Sequence, residues 1–481
     1  MKRSKYTDEQ ILATVKEGEA GRKVADLNRT HGITEQTLPL ESEVRRDGAA
    51  RLYELLQWMA FGVGLVCLLL IRRSIQIGDG GTRLEALQTL VHAHTFDDMK
   101  FSFVGPLLAL PFYLLGVAPY FNFCVFCVGL LCLGRVLRPM LNPGELRIFL
   151  LLLVFGSLFP FSTKDFFGET LSAVSLGVGT ALLVKDREFA AAPWLVIGTA
   201  NTPALVIPLT LLLSVRCYER KSLTAMWIIG PVLLVMAGDR WIRFQDLLIS
   251  GYENDRGVRT FMPFSGRPGF SYPFFLGVVS ILFSFGKGLL IYCPGLWAAS
   301  TTLKGPVRKL AHYWLIFSAG IVIVYAKWWS WYGGQYWGPR FFLFCSLPAS
   351  LFLASFLTSL QEPRARLARV ACALFLLMAT FWICFSGLRY GDSTPEVCRD
   401  NNFALESACW YIPEFSPVFR PLFIHQDRDE TLKMLVPTWI FGFLVLAGPV
   451  VHRLLEPAVE LAEGPLPSQE ELRDRRLTET S

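Results

Sequence analysis

The stretch Ile77-Gly-Asp-Gly-Gly-Thr-Arg-Leu-Glu-Ala-Leu-Gln-Thr-Leu90 decides how the rest of the chain is read. It follows an apolar run at 55–71 and leads through Phe96-Asp-Asp-Met-Lys-Phe-Ser102 into Gly105-Pro-Leu-Leu-Ala-Leu-Pro-Phe-Tyr-Leu-Leu-Gly116. Asp79, Arg83, Glu85, Asp97, Asp98 and Lys100 make it the densest polar chemistry in an otherwise apolar region. A polar, glycine-rich segment after a membrane-length run reads as a loop at a membrane surface. The run at 105–116 is too short to cross and reads as a helix lying along that surface.

Composition agrees with a membrane setting. Of 481 residues 52% are hydrophobic, 14% aromatic and only 18% charged, with a mean hydropathy of +0.40. Soluble domains carry roughly 25% charged residues. The deficit lies in repeated long apolar runs, so the expected class is an all-α polytopic membrane protein. The net charge of +6 would suggest nucleic acid in a soluble protein. Here much of it sits in short loops that orient spans.

Three domains are expected: a cytoplasmic segment at 1–54, a transmembrane domain at 55–452 and a polar, disordered cytoplasmic tail at 453–481. The first has a helix pattern opened by Thr7 as a capping residue, then a turn at Gly32-Ile-Thr-Glu-Gln36 with a new helix start, which is helix-turn-helix spacing. Met1-Lys-Arg-Ser-Lys-Tyr-Thr-Asp-Glu-Gln-Ile11 and His31-Gly-Ile-Thr-Glu-Gln-Thr37 resemble the DNA-binding helices of insertion-sequence transposases over residues 1–38. Pro39 interrupts the recognition helix, and a truncated one cannot fill a major groove. The favoured reading is therefore a fusion remnant or a misplaced start, and nucleic acid is not expected as a partner.

Arg45, Arg46 and Arg51 precede the first span at 55–71 and place its start in the cytoplasm. Further spans are expected at 121–137, 148–161, 170–184, two within 190–215, and at 225–238, 273–297, 310–326, 341–360, 370–387 and 435–451. That makes about twelve, with both termini inside. The loops expected inside carry Arg135, Arg138 and Arg147, then Lys185 and Arg187, then Arg216, Arg220 and Lys221, with further Lys and Arg after 297 and 360. Arg72 and Arg73 go against the trend. The loops 72–120, 239–272 and 327–340, joined by the turn 162–169, then share the outer side. Cys398 and Cys409, in the polar outer loop 388–432, are the one plausible disulfide pair; the other membrane-segment cysteines read as small buried hydrophobes.

Gly78-Asp79-Gly-Gly-Thr-Arg83 with Leu84–Leu90 is similar to the first-loop motif of the GT-C glycosyltransferases, nearest to the protein-O-mannosyltransferase and aminoarabinose-transferase-like families. Lys100-Phe-Ser and the run 105–116 resemble the juxtamembrane helix that follows in those families. Lys164-Asp165 with Glu169 resembles their short outer turn. Trp328-Trp-Ser-Trp-Tyr-Gly-Gly-Gln-Tyr-Trp-Gly-Pro-Arg340 resembles their Trp-Gly-Pro-Arg segment, and Phe283-Ser-Phe-Gly-Lys-Gly288 another recurring segment. The likeness covers about residues 55–450. It implies a GT-C-like bundle with extracytoplasmic juxtamembrane helices in the bacterial inner membrane. It also implies a polyprenyl-phosphate sugar donor and an envelope lipid, glycan or protein as acceptor. Relatives carry a second acidic residue where Gly80 stands.

Transfer from a polyprenyl phosphate needs a base for the acceptor hydroxyl and cations for the leaving phosphate. Asp79 is the base candidate, weighed evenly against a role as cap of the helix starting near Thr82. Lys100, Arg256, Arg259 and Arg340 are the phosphate candidates, and a lone Arg beside a span also snorkels to headgroups. Arg83, Asp97, Asp98, Lys164, Asp165, Glu169, Trp331 and Gln335 complete the substrate-binding set, although an interfacial belt is the favoured reading of the aromatic run. No metal-ligand spacing is present, and a divalent cation is left open without being indicated. A lipid-sugar transporter or flippase, or a non-catalytic binder, remains the alternative; a transporter would place ionisable residues mid-span within inverted repeats.

Overall fold

A computed structural model describes residues 41–455 except 74, 76, 77, 97, 98, 250, 254, 257, 258, 300–302, 361–365, 393, 394 and 424–429. The helix-turn-helix pattern at 1–38, the tail from 456 onward, and Asp97 and Asp98 lie outside the described residues. The chain divides into two units, 1–59 and 60–481. In the first, the described part belongs to the opening helix, α1 (Glu41–Leu70), which runs on into the second.

The rest of the second unit is helical, with no strand among the described residues. In order come α2 (Gly78–Ala93), α3 (Val104–Leu114), α4 (Phe121–Leu137), α5 (Pro143–Phe155), α6 (Glu169–Val184), α7 (Glu188–Asn201) and α8 (Val206–Arg220). There follow α9 (Ile229–Phe244), α10 (Phe274–Phe283), α11 (Gly305–Lys327), α12 (Ser346–Thr358), α13 (Arg366–Tyr390) and α14 (Glu430–Leu455). Seven stretches are long and apolar enough to cross a membrane: Ala50–Leu70, Ala118–Leu137, Thr224–Phe244, Gly305–Lys327, Arg340–Thr358, Leu367–Tyr390 and Leu432–His452. The other five expected spans form helices of 10 to 16 residues, namely α5, α6, α7, α8 and α10. Helix length therefore supports seven spans and does not confirm the full count of twelve. At 1.5 Å per residue a 13-residue helix reaches only about 20 Å of a roughly 30 Å hydrocarbon core.

The shortness of α6 has a physical reason. Every residue from Thr170 to Val184 is buried, so α6 meets protein on all sides and its length need not match lipid. Small residues let its neighbours close in. A Cβ at Gly177 would stand 2.4 Å from Leu347 of α12, one at Gly179 2.7 Å from Leu195 of α7, and one at Gly129 of α4 2.6 Å from Val174. Thr180 accepts a 2.7 Å hydrogen bond from the indole of Trp314 in α11 and donates to the Leu176 carbonyl at 2.7 Å, so this buried hydroxyl is satisfied inside the bundle.

The short apolar run after the first loop forms α3 as expected. One face, with Ala109, packs on Leu84 and Leu87 of α2, and its end rests on Phe121. Leu107, Leu108 and Leu114 point outward. Helix α9 outruns its expected end, so Asp239 and Arg243 are helical rather than part of a loop. They pair at i and i+4 at 2.5 Å. Asp239 also accepts from the Phe103 amide at 2.9 Å, and Arg243 donates to the Met99 carbonyl at 2.6 Å. These bonds tie the 99–103 segment to α9. Arg73, which ran against the charge pattern, closes the end of α1 by donating to the carbonyls of Leu68 and Leu69, and to Thr163 at 2.7 Å.

Candidate functional site

Gly78 takes a left-handed backbone (φ +58°) and starts α2 within ten residues of the end of α1. Gly80 follows, where a Cβ would lie 3.3 Å from both the Ile75 carbonyl and the Phe166 amide. The helix start is thereby pressed onto the turn at 162–168. Asp79 sits in the first turn, where the helix dipole favours a carboxylate. Its hydrogen bond, however, is to Arg340 Nη2 at 2.5 Å, 261 residues away in sequence. Burial pushes the Asp79 carboxyl up, but Arg340 beside it, with Arg83 and Lys100 farther off, holds it below the usual carboxylate range.

Arg340 reaches this point because Gly338 (φ +63°) and Pro339 turn the aromatic loop into the 3-10 helix Arg340–Cys345. Its guanidinium lies 4.9 Å from the Phe167 ring centre and 5.0 Å from that of Phe341. Its Nε is 3.8 Å from Glu169 Oε1, at the first residue of α6. Asp79, Arg340 and Glu169 thus join the first loop, the aromatic loop and the buried central helix.

A cavity of about 530 Å³ opens beside them. One wall is polar and carries Asp79, Arg83, Lys100, Glu169 and Arg340. Another is aromatic, with Tyr252, Phe270, Trp328 and Trp329. A third is apolar, with Val206 and Ile207 of α8, Met236 of α9 and Val324 of α11. Lys100 pairs with Asp255 at 3.2 Å and lies over Phe101 and Tyr252. A pocket of this size, largely apolar with a few convergent polar groups, is the form ligand sites take.

Of the residues singled out from sequence, Asp79, Arg83, Lys100, Glu169 and Arg340 converge on this cavity, and the others among the described residues do not line it. Lys164 and Asp165 are engaged elsewhere. Lys164 pairs with Asp392 at 2.5 Å, and the Asp165 carbonyl accepts from Asn122 at 2.7 Å. Burial pushes the Asp165 carboxyl up to about 7; Lys164 opposes that rise and Asp392 adds to it. Arg256 bridges to Pro268, and Arg259 packs on Gly266. Trp331 is 1% exposed and packs on Tyr272 and Trp410, so it is a core residue of the loop rather than a sugar platform. Gln335 lines a much smaller space of about 40 Å³ on the far side of the loop, with Lys287 and Glu406.

Cys398 and Cys409 form a disulfide. Their loop packs on the aromatic loop through the stacked pair Tyr332 and Trp410, 3.8 Å between ring centres. Lys287 donates to the carbonyls of Gly334 at 2.9 Å, Gly338 at 3.3 Å and Tyr336, and so fixes the back of that loop. Among the described residues no group of three His, Cys, Asp or Glu could hold a metal ion.

Sequence reading passed over Asn201, Tyr252, Asp255 and Trp329 as site residues, although all four line the cavity. Asn201 had a signal, being an amide beside Pro203 inside a long apolar stretch, where unsatisfied polar groups are costly. Its Nδ2 donates to the Gly168 carbonyl at 2.8 Å and to Ser172 at 2.9 Å. Asp255 had none, because a carboxylate in a polar loop looks the same whether or not it meets Lys100.

Comparison with known families gives one match, a family described as Transposase, over residues 1–39. It coincides with the helix-turn-helix pattern and falls outside the described residues. No curated protein and no solved structure matches the chain.

Proposed function

We propose that the chain is a GT-C-like membrane glycosyltransferase that moves a sugar from a polyprenyl-phosphate donor to an extracytoplasmic envelope lipid, glycan or protein, with inversion. The observation that carries this reading is the pairing of Asp79 with Arg340 on the wall of a cavity that is apolar on another side. An isoprenoid chain suits the wall of Val206, Ile207, Met236 and Val324. A sugar suits the aromatic wall of Trp328 and Trp329, whose faces and N–H groups match a pyranose.

In the proposed reaction the acceptor hydroxyl attacks the anomeric carbon from the face opposite the phosphate. The new carbon–oxygen bond forms as the bond to the phosphate oxygen breaks. Asp79 takes the hydroxyl proton, and the polyprenyl phosphate leaves with the electron pair. Asp79 is a weak base in the resting protein because Arg340 holds it ionised. That is enough for a hydroxyl whose acidity rises as it bonds to carbon. The cations that line the cavity, Arg83, Lys100 and Arg340, supply the positive field for the leaving group. Under this reading the membrane is the bacterial inner membrane, with the termini inside and the cavity on the outer rim.

The test is Asp79→Asn in membranes supplied with radiolabelled polyprenyl-phosphate sugars. Loss of transfer with correct insertion supports the reading, and transfer at the wild-type rate ends the assignment of Asp79 as base. Movement of labelled lipid across the bilayer without transfer would favour the flippase alternative.

A further inference from the structure

Four cations and three carboxylates face the cavity: Arg83, Lys100, Arg240 and Arg340 against Asp79, Glu169 and Asp255. Three of the cations are occupied. Arg340 is held by Asp79 and Glu169, Lys100 by Asp255, and Arg240 donates to the Leu247 carbonyl at an exposed position. Arg83 is different. It is 7% exposed, and its guanidinium makes no hydrogen bond or ion pair with any described residue; Nε and Nη1 are enclosed with no partner.

The surroundings of Arg83 are built to receive it. The guanidinium lies 4.8 Å from the centre of the Phe101 ring. Gly168 and Gly105 wall it in, since a Cβ at Gly168 would stand 2.8 Å from Nη2 and one at Gly105 3.5 Å from Nη1. The Asn201 carbonyl oxygen shares this cradle, also without a partner, but an amide cannot neutralise a guanidinium. Glu169 and Asp79 act on Arg83 only through space, and both are already engaged with Arg340. A buried guanidinium whose N–H groups have no acceptor is costly, and the cost is reduced when an anion binds beside it.

We infer that Arg83, rather than Arg340 or Lys100, is the residue that holds the anionic head of the ligand. The ligand class is a phosphate ester of an amphiphile, its chain lying on the wall of Val206, Ile207 and Met236. This rests on the transferase reading for the identity of the lipid as a polyprenyl phosphate. The anion site itself stands on Arg83's lack of a partner. Arg340 then keeps Asp79 ionised, while Arg83 meets the phosphate, so base and leaving group have separate cations.

The experiment measures binding of farnesyl phosphate, farnesol and inorganic phosphate to the full chain in detergent, read by the fluorescence of the cavity tryptophans. Arg83→Gln should weaken farnesyl phosphate about tenfold to a hundredfold while leaving farnesol unchanged. Arg83→Lys should recover part of the loss, and Lys100→Gln should lose less than Arg83→Gln. Unfolding of Arg83→Gln should come at no lower temperature than wild type, since it removes a buried guanidinium whose N–H groups make no hydrogen bond. A loss of farnesyl phosphate affinity under about twofold in Arg83→Gln overturns the proposal, as does an equal loss for farnesol. Should Arg83→Gln fail to fold, Arg83→Lys carries the same comparison, and wild-type affinity for farnesyl phosphate with a lowered unfolding temperature overturns it. Inorganic phosphate competing as well as farnesyl phosphate would overturn the amphiphile and leave a free-phosphate site. Arg83-dependent binding that persists when no donor supports transfer would sink the transferase reading alone.

Discussion

The start of α2 and the turn before α6 press against each other at Gly80 and Phe166, and each carries a largely enclosed aspartate. Asp79 is 27% exposed and Asp165 5%. Their acidities diverge. Asp79 is held low by a guanidinium 2.5 Å away, whereas the Asp165 carboxyl is pushed up to about 7, with one oxygen enclosed and unpartnered. Burial acts on both in the same direction, so the difference comes from where the cation sits. Arg340 is spent on Asp79, while Lys164, the cation next to Asp165 in sequence, turns outward to Asp392. The lesson is that the residue type and its depth do not set its chemistry; its nearest opposite charge does.

The largest expected effect on this contrast is Asp79→Asn, which should cut transfer by about a hundredfold to ten-thousandfold, the usual contribution of a positioned base. Radiolabelled sugar incorporation checks it, and Asp165→Asn in the same assay should retain most of its activity. Next is Arg340→Gln, with a loss of roughly a hundredfold as Asp79 loses the cation that positions it and keeps it ionised. It should also raise the Asp79 pKa, so residual activity against pH should rise at higher pH than in wild type. A profile with an unmoved acid limb would separate Arg340 from Asp79.

Asp165→Asn should act on stability instead. Its folded pKa of about 7 lies above the unfolded value near 3.8, so the folded state binds the proton more tightly. Wild-type stability should therefore fall as pH rises between about 4 and about 7, no more steeply than about 1.4 kcal/mol per pH unit from this group, and then level off. The Asn variant should lack that fall, and thermal unfolding in detergent across the range measures it. The smallest effect is expected for Lys164→Met, about 1 kcal/mol, because its partner Asp392 is 59% exposed and a solvated pair contributes little. That substitution should move the Asp165 titration to higher pH.

Much of the bundle was legible in the sequence because apolar length is a local signal. Helix α4 was expected at 121–137 and occupies Phe121–Leu137. Length was also where reading failed. Pro143, Pro160 and Pro203 punctuate the runs, and the burial that excuses α6 from spanning is set by neighbours distant in sequence. The candidate site divides the same way. Asp79, Arg83 and Glu169 stand out by local pattern, and Arg340 by its Trp-Gly-Pro-Arg setting. The pairing of Lys100 with Asp255, 155 residues away, leaves no local trace. Trp331 and Trp329, two apart in one aromatic run, took opposite fates: one packs into the loop, the other faces the cavity. A run of tryptophans does not say which ring faces which way.

The enclosure of α6 has a consequence for how the molecule answers its surroundings. Membranes differ in thickness by several ångströms, and helices in contact with acyl chains tilt or bend to match. Helix α6 touches none, so Glu169 at its head stays in register with Asn201 and Arg340 whichever membrane surrounds the protein. Any such adjustment falls to peripheral helices such as α9, which exposes Leu233, Leu234 and Trp241. Because α9 also supplies Met236 to the cavity, a thicker or thinner bilayer would alter the chamber's width at that wall and leave its charged corner unmoved.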